Sequence, residues 1–265
     1  MRYLACVLSL VSLIAQAEVS SSSAALSPDN WEMLNAAAKV AFVSYNSFVK
    51  QELGIDQQYS VHVDIAASNA SYSAMLPAYG VSNVAQASLW TSSYILPDRH
   101  KILIKTLPPY DMDAFNERIW IGMTSMVEID LAGKNIRKVA PWVKQGTADF
   151  VAALVAQKAG SQSVETWKFQ SIDVLRHAND YPMPRDFANF DDSDWAEATR
   201  NTKGAVCRVA DLMMTYLHDQ RGAGLFAELP AYFRCMKDPA HEDSCFAKNF
   251  GIEQEQFVRQ ARACK

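Results

Sequence analysis

The chain has 265 residues, of which 49% are hydrophobic, and its formal net charge is −4. A chain of this length and apolar content can bury a full core, so the composition predicts a globular protein. The acidic balance and the lack of any Lys/Arg cluster argue against a nucleic-acid partner.

The N-terminal residues have the three parts of a secretory signal peptide. Residues 1–3 are a short basic start, residues 4–14 an apolar run, and residues 15–17 a small-x-small cleavage site. The apolar run is about half the roughly 20 residues that a membrane-spanning helix needs. We therefore predict a signal peptide over residues 1–17 and a mature protein without a membrane span that is secreted or periplasmic.

A serine-rich linker is predicted over residues 18–30, followed by a helix from about Trp31 to Leu53 with apolar residues at helical spacing. Two strand-like runs come next, YSVHVDIAA and KILIKTL. The segment AYGVSNVAQASLW between them is predicted to form a loop and a further strand. These short strands predict a small sheet.

From Asp113 the pattern is helical almost to the end, apart from a Pro- and Asp-rich stretch over residues 179–195. Strands followed by helices indicate an α+β fold. We expect one domain over residues 31–265, with a sheet-containing part over 31–150 and a helical part over 151–265.

The helix that contains residues 117–131 has an apolar side and a polar side. The residues predicted to be buried recur at three- and four-residue steps: Ile119, Trp120, Met123, Met126 and Val127. On the other side, Thr124 and Glu128 are four residues apart and therefore neighbours, with Ser125 beside them. The His-Glu-x-x-His zinc motif places its two histidines at the same spacing.

The segment PWVKQGTADF, residues 141–150, resembles the segment that follows the zinc helix in gluzincin, or peptidase MA-like, metallopeptidases. In that family a proline and a tryptophan precede a Glu-Gly-x-Ala-Glu/Asp-Tyr/Phe run, whose first glutamate is the third zinc ligand. The matching residues are Pro141, Trp142, Gly146, Ala148, Asp149 and Phe150. The strands before the zinc helix, with an edge strand over the cleft, and the C-terminal helices resemble the family too. The resemblance implies a zincin-like fold.

The residues that would bind zinc are absent from this chain. The resemblance places Gln145 at the third ligand, Thr124 at the first histidine, Ser125 at the catalytic glutamate and Glu128 at the second histidine. A register one residue earlier would turn buried apolar residues into the cleft. Neither register supplies three zinc ligands and a base. We therefore expect no cofactor and no catalytic residue, which favours a protein that is not an enzyme.

Two functions are open at this point. The first is a secreted non-catalytic protein whose relic cleft, formed by Thr124, Ser125, Glu128, Gln145 and Asp149, binds a peptide, a cell-wall fragment or a protein partner. The second is an unorthodox hydrolase that uses Glu128 and Asp149 with a distant histidine or a non-zinc metal. Oxygen ligands of this kind would suit Ca²⁺.

Four cysteines remain after signal-peptide cleavage, and an even count in an oxidising compartment predicts two disulfides. Three connectivities are possible. We predict Cys235 with Cys245, which closes a turn-rich loop, and Cys207 with Cys264, which ties the C-terminus to a helix. A zinc site formed by Cys235, His241 and Cys245 is the alternative.

Overall fold

The structure is a computed structural model that describes residues 19–21, 26–96, 100–177, 189–238, 240 and 244–263. The predicted signal peptide, residues 1–17, lies outside the described residues, as do His241 and Cys264.

The described chain is mostly helical and carries one small mixed sheet, so the predicted α+β class is confirmed. Its strands are β1 (Val19–Ser21), β2 (His62–Ala66), β3 (Ser93–Leu96) and β4 (Lys101–Lys105). Its helices are α1 (Pro28–Glu52), α2 (Asn69–Met75), α3 (Val84–Trp90), α4 (Met112–Ala132), α5 (Pro141–Ala159), α6 (Val164–His177), α7 (Asp192–Asn201), α8 (Ala205–Arg221), α9 (Leu225–Met236), α10 (Cys245–Phe250) and α11 (Gln254–Ala263).

The sheet has the strand order β1-β2-β4-β3. β1 and β4 pair with β2 in parallel, whereas β3 pairs with β4 in antiparallel orientation. Alternate apolar side chains, Val63 and Ile65 on β2 and Ile102 and Ile104 on β4, are buried against a core that α1 and α4 share. β3 therefore forms one edge of the sheet.

Two sequence predictions for the N-terminal half are wrong in part. The predicted linker over residues 18–30 contains β1 and the first turn of α1, whose N-terminus is capped by the Ser27 side chain. The segment AYGVSNVAQASLW forms α3 where a strand was predicted. Its residues 84–90, VAQASLW, contain good helix formers and no run of β-branched residues, and the strand β3 begins only at Ser93.

α4 and α5 connect the two halves of the fold. All five predicted core residues of α4 are buried. One face of α5 joins the core under the sheet through Val151 and Val155, while the other joins a C-terminal core through Trp142 and Phe150. The predicted boundary between residues 150 and 151 thus falls inside α5, which belongs to both cores.

The predicted disulfide Cys235–Cys245 is confirmed and joins α9 to α10 with a Cα separation of 5.7 Å. The alternative zinc site is wrong, because these two sulfurs bond to each other. Cys207 forms no disulfide with a described cysteine. Its pairing with Cys264, which lies outside the described residues, stays a prediction.

None of the helices in the described part of the chain combines the length and the apolar character that a membrane crossing requires.

Gly146 allows α5 to approach α8 closely, since a Cβ at this position would lie 2.6 Å from the carbonyl oxygen of Ala210. We expect Gly146→Ala to lower the free energy of unfolding by about 1–3 kcal/mol, because the two backbones would have to separate. Gly224→Ala is the control, since its Cβ would lie 3.6 Å from the nearest atom. Equal urea midpoints for the two variants would contradict the close approach.

Candidate functional site

A cavity of about 540 Å³ lies between the edge strand β3 and helices α4, α5, α7 and α8. Residues 91–95 form its rim on the strand side, and Trp195 of α7 lies on its wall. Its floor includes Ile121 and Ser125 of α4 together with Gln145 of α5. The cavity has the volume of a ligand site and is lined by both polar and apolar groups.

The edge of β3 presents backbone hydrogen-bonding groups beside this cavity. The Lys105 amide donates to the Ser92 carbonyl oxygen at 2.8 Å, so residues 92, 94 and 96 are the ones that bond to β4. The N–H and C=O groups of Ser93 and Ile95 therefore point away from β4. Both residues line the cavity. An extended ligand chain could pair with them as an additional strand.

The structure divides the five predicted cleft residues between two places. Ser125, Gln145 and Asp149 line the cavity beside β3. Thr124 and Glu128 line a separate interior cavity of about 20 Å³ under α9. The prediction that all five form one polar patch is therefore wrong.

The register inferred from the resemblance explains this error. Four α4 residues line the cavity, Glu117, Arg118, Ile121 and Ser125, and the last two are four residues apart. Thr124 is rotated toward α1 instead. Glu128 lies seven residues beyond Ile121, roughly 10 Å along the helix axis and past the end of the cavity. Neither register considered from the sequence matches this geometry.

Thr124 has a structural role between α4 and α1. Its side chain is 2% exposed, donates to the Trp120 carbonyl oxygen at 2.9 Å and accepts from the Tyr45 hydroxyl at 3.0 Å. The Trp120 indole N–H donates in turn to the Ala41 carbonyl oxygen at 3.0 Å. These bonds satisfy buried polar groups and fix how the two helices pack.

Glu128 is a buried acid without a charged partner in contact. It is 3% exposed, and its Oε1 and the Thr147 hydroxyl both lack a hydrogen-bond partner within the described residues. Burial raises the pKa of Glu128 well above its usual range, against the opposing effect of Lys144. Burial thus favours the neutral form of this side chain, which lines the smaller cavity.

Asp149 and Asp211 form a buried carboxyl pair behind the wall of the larger cavity. Asp149 is 6% exposed and accepts from the Gln145 amide at 2.7 Å. Asp211 is fully buried, and its Oδ2 accepts from Ser171 at 3.0 Å and from Arg208 at 2.9 Å. The two carboxyl groups are close enough to hydrogen bond to each other. Two ionised carboxylates at this separation would repel each other, so the arrangement favours one proton shared by the pair.

The surroundings favour Asp149 as the group that holds this proton. Burial and the adjacent Asp211 carboxylate raise the pKa of Asp149 well above its usual range. Burial raises the pKa of Asp211 as well, but Arg208 opposes this by stabilising the ionised form. Apart from Asp149, Asp211 Oδ1 has no hydrogen-bond partner in the described part of the chain. A protonated Asp149 satisfies this atom by donating to it. Cys207 adds no charge, because burial raises the pKa of its thiol to about 12.

Three basic side chains line the same cavity, and each is already engaged. Lys144 pairs with Asp192 at 2.5 Å, which links α5 to α7. Arg208 pairs with Asp211. The Arg118 guanidinium donates to the Ser92 hydroxyl at 2.9 Å and to a backbone carbonyl of its own helix. The cavity is therefore charged but internally compensated.

Sequence reasoning missed several residues of this site. Four of them are charged and one is apolar: Glu117, Arg118, Arg208, Asp211 and Ile121. The Arg-x-x-Asp spacing at residues 208–211, within an otherwise apolar helix, is a signal that could have indicated a buried ion pair. No sequence signal shows that this pair faces Asp149.

The structure gives no support for the Ca²⁺ site considered from the sequence. Glu128 and Asp149 line different cavities, so the two carboxyl groups do not converge on one ion. Within the described ranges, no three His, Cys, Asp or Glu side chains are placed to hold a metal ion.

No family model, no curated protein and no solved structure matches this chain. The gluzincin resemblance and the zincin-like fold therefore remain predictions. Any proposal about function therefore rests on the geometry of the cavity alone.

We expect the contribution of Asp149 to stability to fall as pH rises, because the folded protein keeps the Asp149 proton at pH values where the unfolded chain has lost it. This contribution to the unfolding free energy should be fully present below about pH 4, the range of an unfolded Asp, and decline toward the raised folded pKa. In Asp149→Asn, the amide can make the same two hydrogen bonds, with Gln145 and with Asp211, and it does not titrate. At pH 8 the variant should be more stable than wild type by about 1–2 kcal/mol in urea titrations.

The control is Asp211→Asn, which has the same shape but removes the carboxylate that pairs with Arg208. This variant should be less stable than wild type at pH 8. If Asp149→Asn is destabilised to the same extent at pH 8, the assignment of the proton is wrong.

Proposed function

We propose that this chain is a secreted, non-catalytic protein whose cleft binds an extended peptide segment along β3. The observation that carries the proposal is the edge of β3 beside the 540 Å³ cavity, with which no strand in the described part of the chain pairs. Ser93 and Ile95 offer two N–H and two C=O groups to a ligand strand, and the cavity receives its side chains. Strand addition to an open sheet edge is a common mode of peptide recognition.

A peptide fits this cleft better than the other ligands considered from the sequence. Backbone pairing along β3 requires a regular repeat of N–H and C=O groups, which an extended peptide has and a glycan chain lacks. The ligand could equally be a free peptide or an extended segment of a partner protein, because both present the same groups.

A hydrolase that combines Glu128 and Asp149 has no geometric support. The two side chains line different cavities, and no described histidine lines the larger one. Asp149 already accepts from the Gln145 amide and lies within hydrogen-bonding reach of Asp211. A binding function is therefore the better proposal.

We also propose a different register on α4 for the resemblance to gluzincins. Ile121 and Ser125 are four residues apart on α4 and face Gln145 of α5 across one cavity, with an antiparallel edge strand beside them. In the family named above, these positions would hold the two histidines and the glutamate. The likeness thus becomes geometrically consistent when the register moves three residues toward the N-terminus.

Panning a random decapeptide display library against the mature protein tests peptide binding. We expect recovered peptides to lose at least about tenfold in affinity for Ile95→Pro, because proline removes a backbone N–H at the free edge of β3. Titration of synthetic peptides by calorimetry measures the effect.

Ile95→Ala is the matched control, since it removes side-chain contacts but keeps the N–H group. It should bind within about threefold of wild type. Peptide binding along β3 is contradicted if panning enriches no sequence, or if Ile95→Pro and Ile95→Ala bind equally well.

Grafting zinc ligands tests the revised register. The triple variant Ile121→His/Ser125→His/Gln145→Glu should bind Zn²⁺ at least about tenfold more tightly than Ile121→His/Ser125→His, because three protein ligands make a tetrahedral site with one open position. Calorimetric titration with zinc checks this, and circular dichroism shows that both variants fold.

The second control is Thr124→His/Gln145→Glu, which follows the register expected from the sequence. It should bind zinc no better than wild type. A folded triple variant with wild-type zinc affinity would rule out the revised register without affecting peptide binding.

A further inference from the structure

We propose that two copies of this protein associate through the outer face of α1, with the two helices packed in antiparallel orientation about a two-fold axis. The outer face consists of seven exposed residues that follow one another at steps of four and three: Asp29, Met33, Ala36, Val40, Val43, Ser47 and Lys50. None of the seven lines either of the two cavities described above. The surface is therefore separate from the candidate peptide site.

α1 carries apolar side chains on two opposite sides. Its inner side packs into the core through large residues such as Phe42 and Phe48, which are buried. On its outer face, Val40 and Val43 are 60% and 61% exposed, and Met33 is 40% exposed. A surface helix usually has polar residues opposite its buried side. A row of exposed apolar side chains instead marks a surface that binds a partner.

The spacing of the outer face is that of two helices packed side by side. Steps of four and three residues average 3.5 residues, so the side chains form a nearly straight row for about 32 Å along α1. Between the two charged ends, four of the five side chains are small or β-branched: Ala36, Val40, Val43 and Ser47. Short side chains in such a row allow a second helix to approach closely.

The charges along the outer face favour a second copy of this chain as the partner. The face begins with Asp29 and ends with Lys50, and the exposed Glu32 lies beside its N-terminal end. In an antiparallel pair, the acidic end of one helix lies beside the basic end of the other, and the helix dipoles are opposed. In a parallel pair, like charges would meet. The face is thus complementary to itself under a two-fold rotation, as a symmetric dimer requires.

One antiparallel register suits both the apolar and the charged residues. In this register, Val40 of each copy packs against Val43 of the other, so four valines form the centre of the contact. Lys50 then lies beside Met33 and Glu32 of the second copy. Its aliphatic stem covers the Met33 side chain, while its ammonium group pairs with the Glu32 carboxylate.

Two further charged residues are compatible with this register. Lys39, which is exposed beside the face, is offset from Lys39 of the second copy by about 8 Å along the helix axis, so the two ammonium groups need not touch. Lys50 already pairs with Asp56 of its own chain at 3.2 Å, but both side chains are largely exposed. An exposed pair of this kind contributes little and does not hold Lys50 away from the contact.

Sedimentation velocity of the mature protein over a range of concentrations tests the proposal. We expect a monomer–dimer equilibrium with a dissociation constant on the order of 10 μM, because one helix per copy is at the low end of specific interfaces. Val43→Glu should weaken the association at least about tenfold, since it places two like charges at the centre of the contact.

Val174→Glu on α6 is the matched control, because it introduces the same charge at another exposed valine, which is 44% exposed. This variant should associate like wild type. Circular dichroism checks that both variants fold, as expected for substitutions at exposed positions.

Charge reversal tests the orientation of the two helices. Glu32→Lys and Lys50→Glu should each weaken the dimer by about threefold or more, because each replaces an attraction with a repulsion. The double variant Glu32→Lys/Lys50→Glu should return to within about twofold of wild type, since the pairs form again with opposite sign. In a parallel pair, neither single variant would weaken the dimer.

Three results would overturn the proposal. The first is a wild-type protein that stays monomeric up to about 1 mM, which would leave the outer face to a different partner. The second is a dimer that Val43→Glu leaves unchanged, because the contact would then lie elsewhere on the molecule. The third is a folded double charge-reversal variant that associates no better than the single variants. None of these measurements involves a peptide, so the outcome does not depend on the proposed function.

Discussion

The contact between the backbones of α5 and α8 is the constraint on which the candidate site depends. Gly146 removes the side chain that would hold the two helices apart at Ala210. One turn further along α5, the same approach brings Asp149 against Asp211, the next residue of α8. Two acids meet in the interior because a glycine allows the helices to approach, and their proximity favours a proton on one of them. Packing therefore influences the charge of the cavity wall.

The sequence predicts the framework better than the site. Apolar periodicity identifies the buried side of α4, and an even cysteine count leads to Cys235–Cys245, because both signals are local. The rotation of a helix relative to a cavity is not local. Thr124 and Ser125 are adjacent in sequence, yet one is bonded to α1 and the other faces β3. No pattern within α4 distinguishes them.

The sequence also fails to predict which charged residues come together at the site. Glu117, Arg208 and Asp211 lie on two helices that are distant in sequence, and nothing in either segment shows that they come together. Their importance arises from desolvation and from one another, as the raised pKa values of Glu117 and Asp211 show. Neither the desolvation of these groups nor the interactions between them can be read from a single sequence. Only the assembled fold reveals that three acids and three bases line one cavity.

The edge of β3 that no described strand pairs with has a further consequence. A strand edge of this kind can add any extended chain, including the edge of a second copy of the same protein. If a peptide binds there as proposed, it would also block this self-association at high concentration.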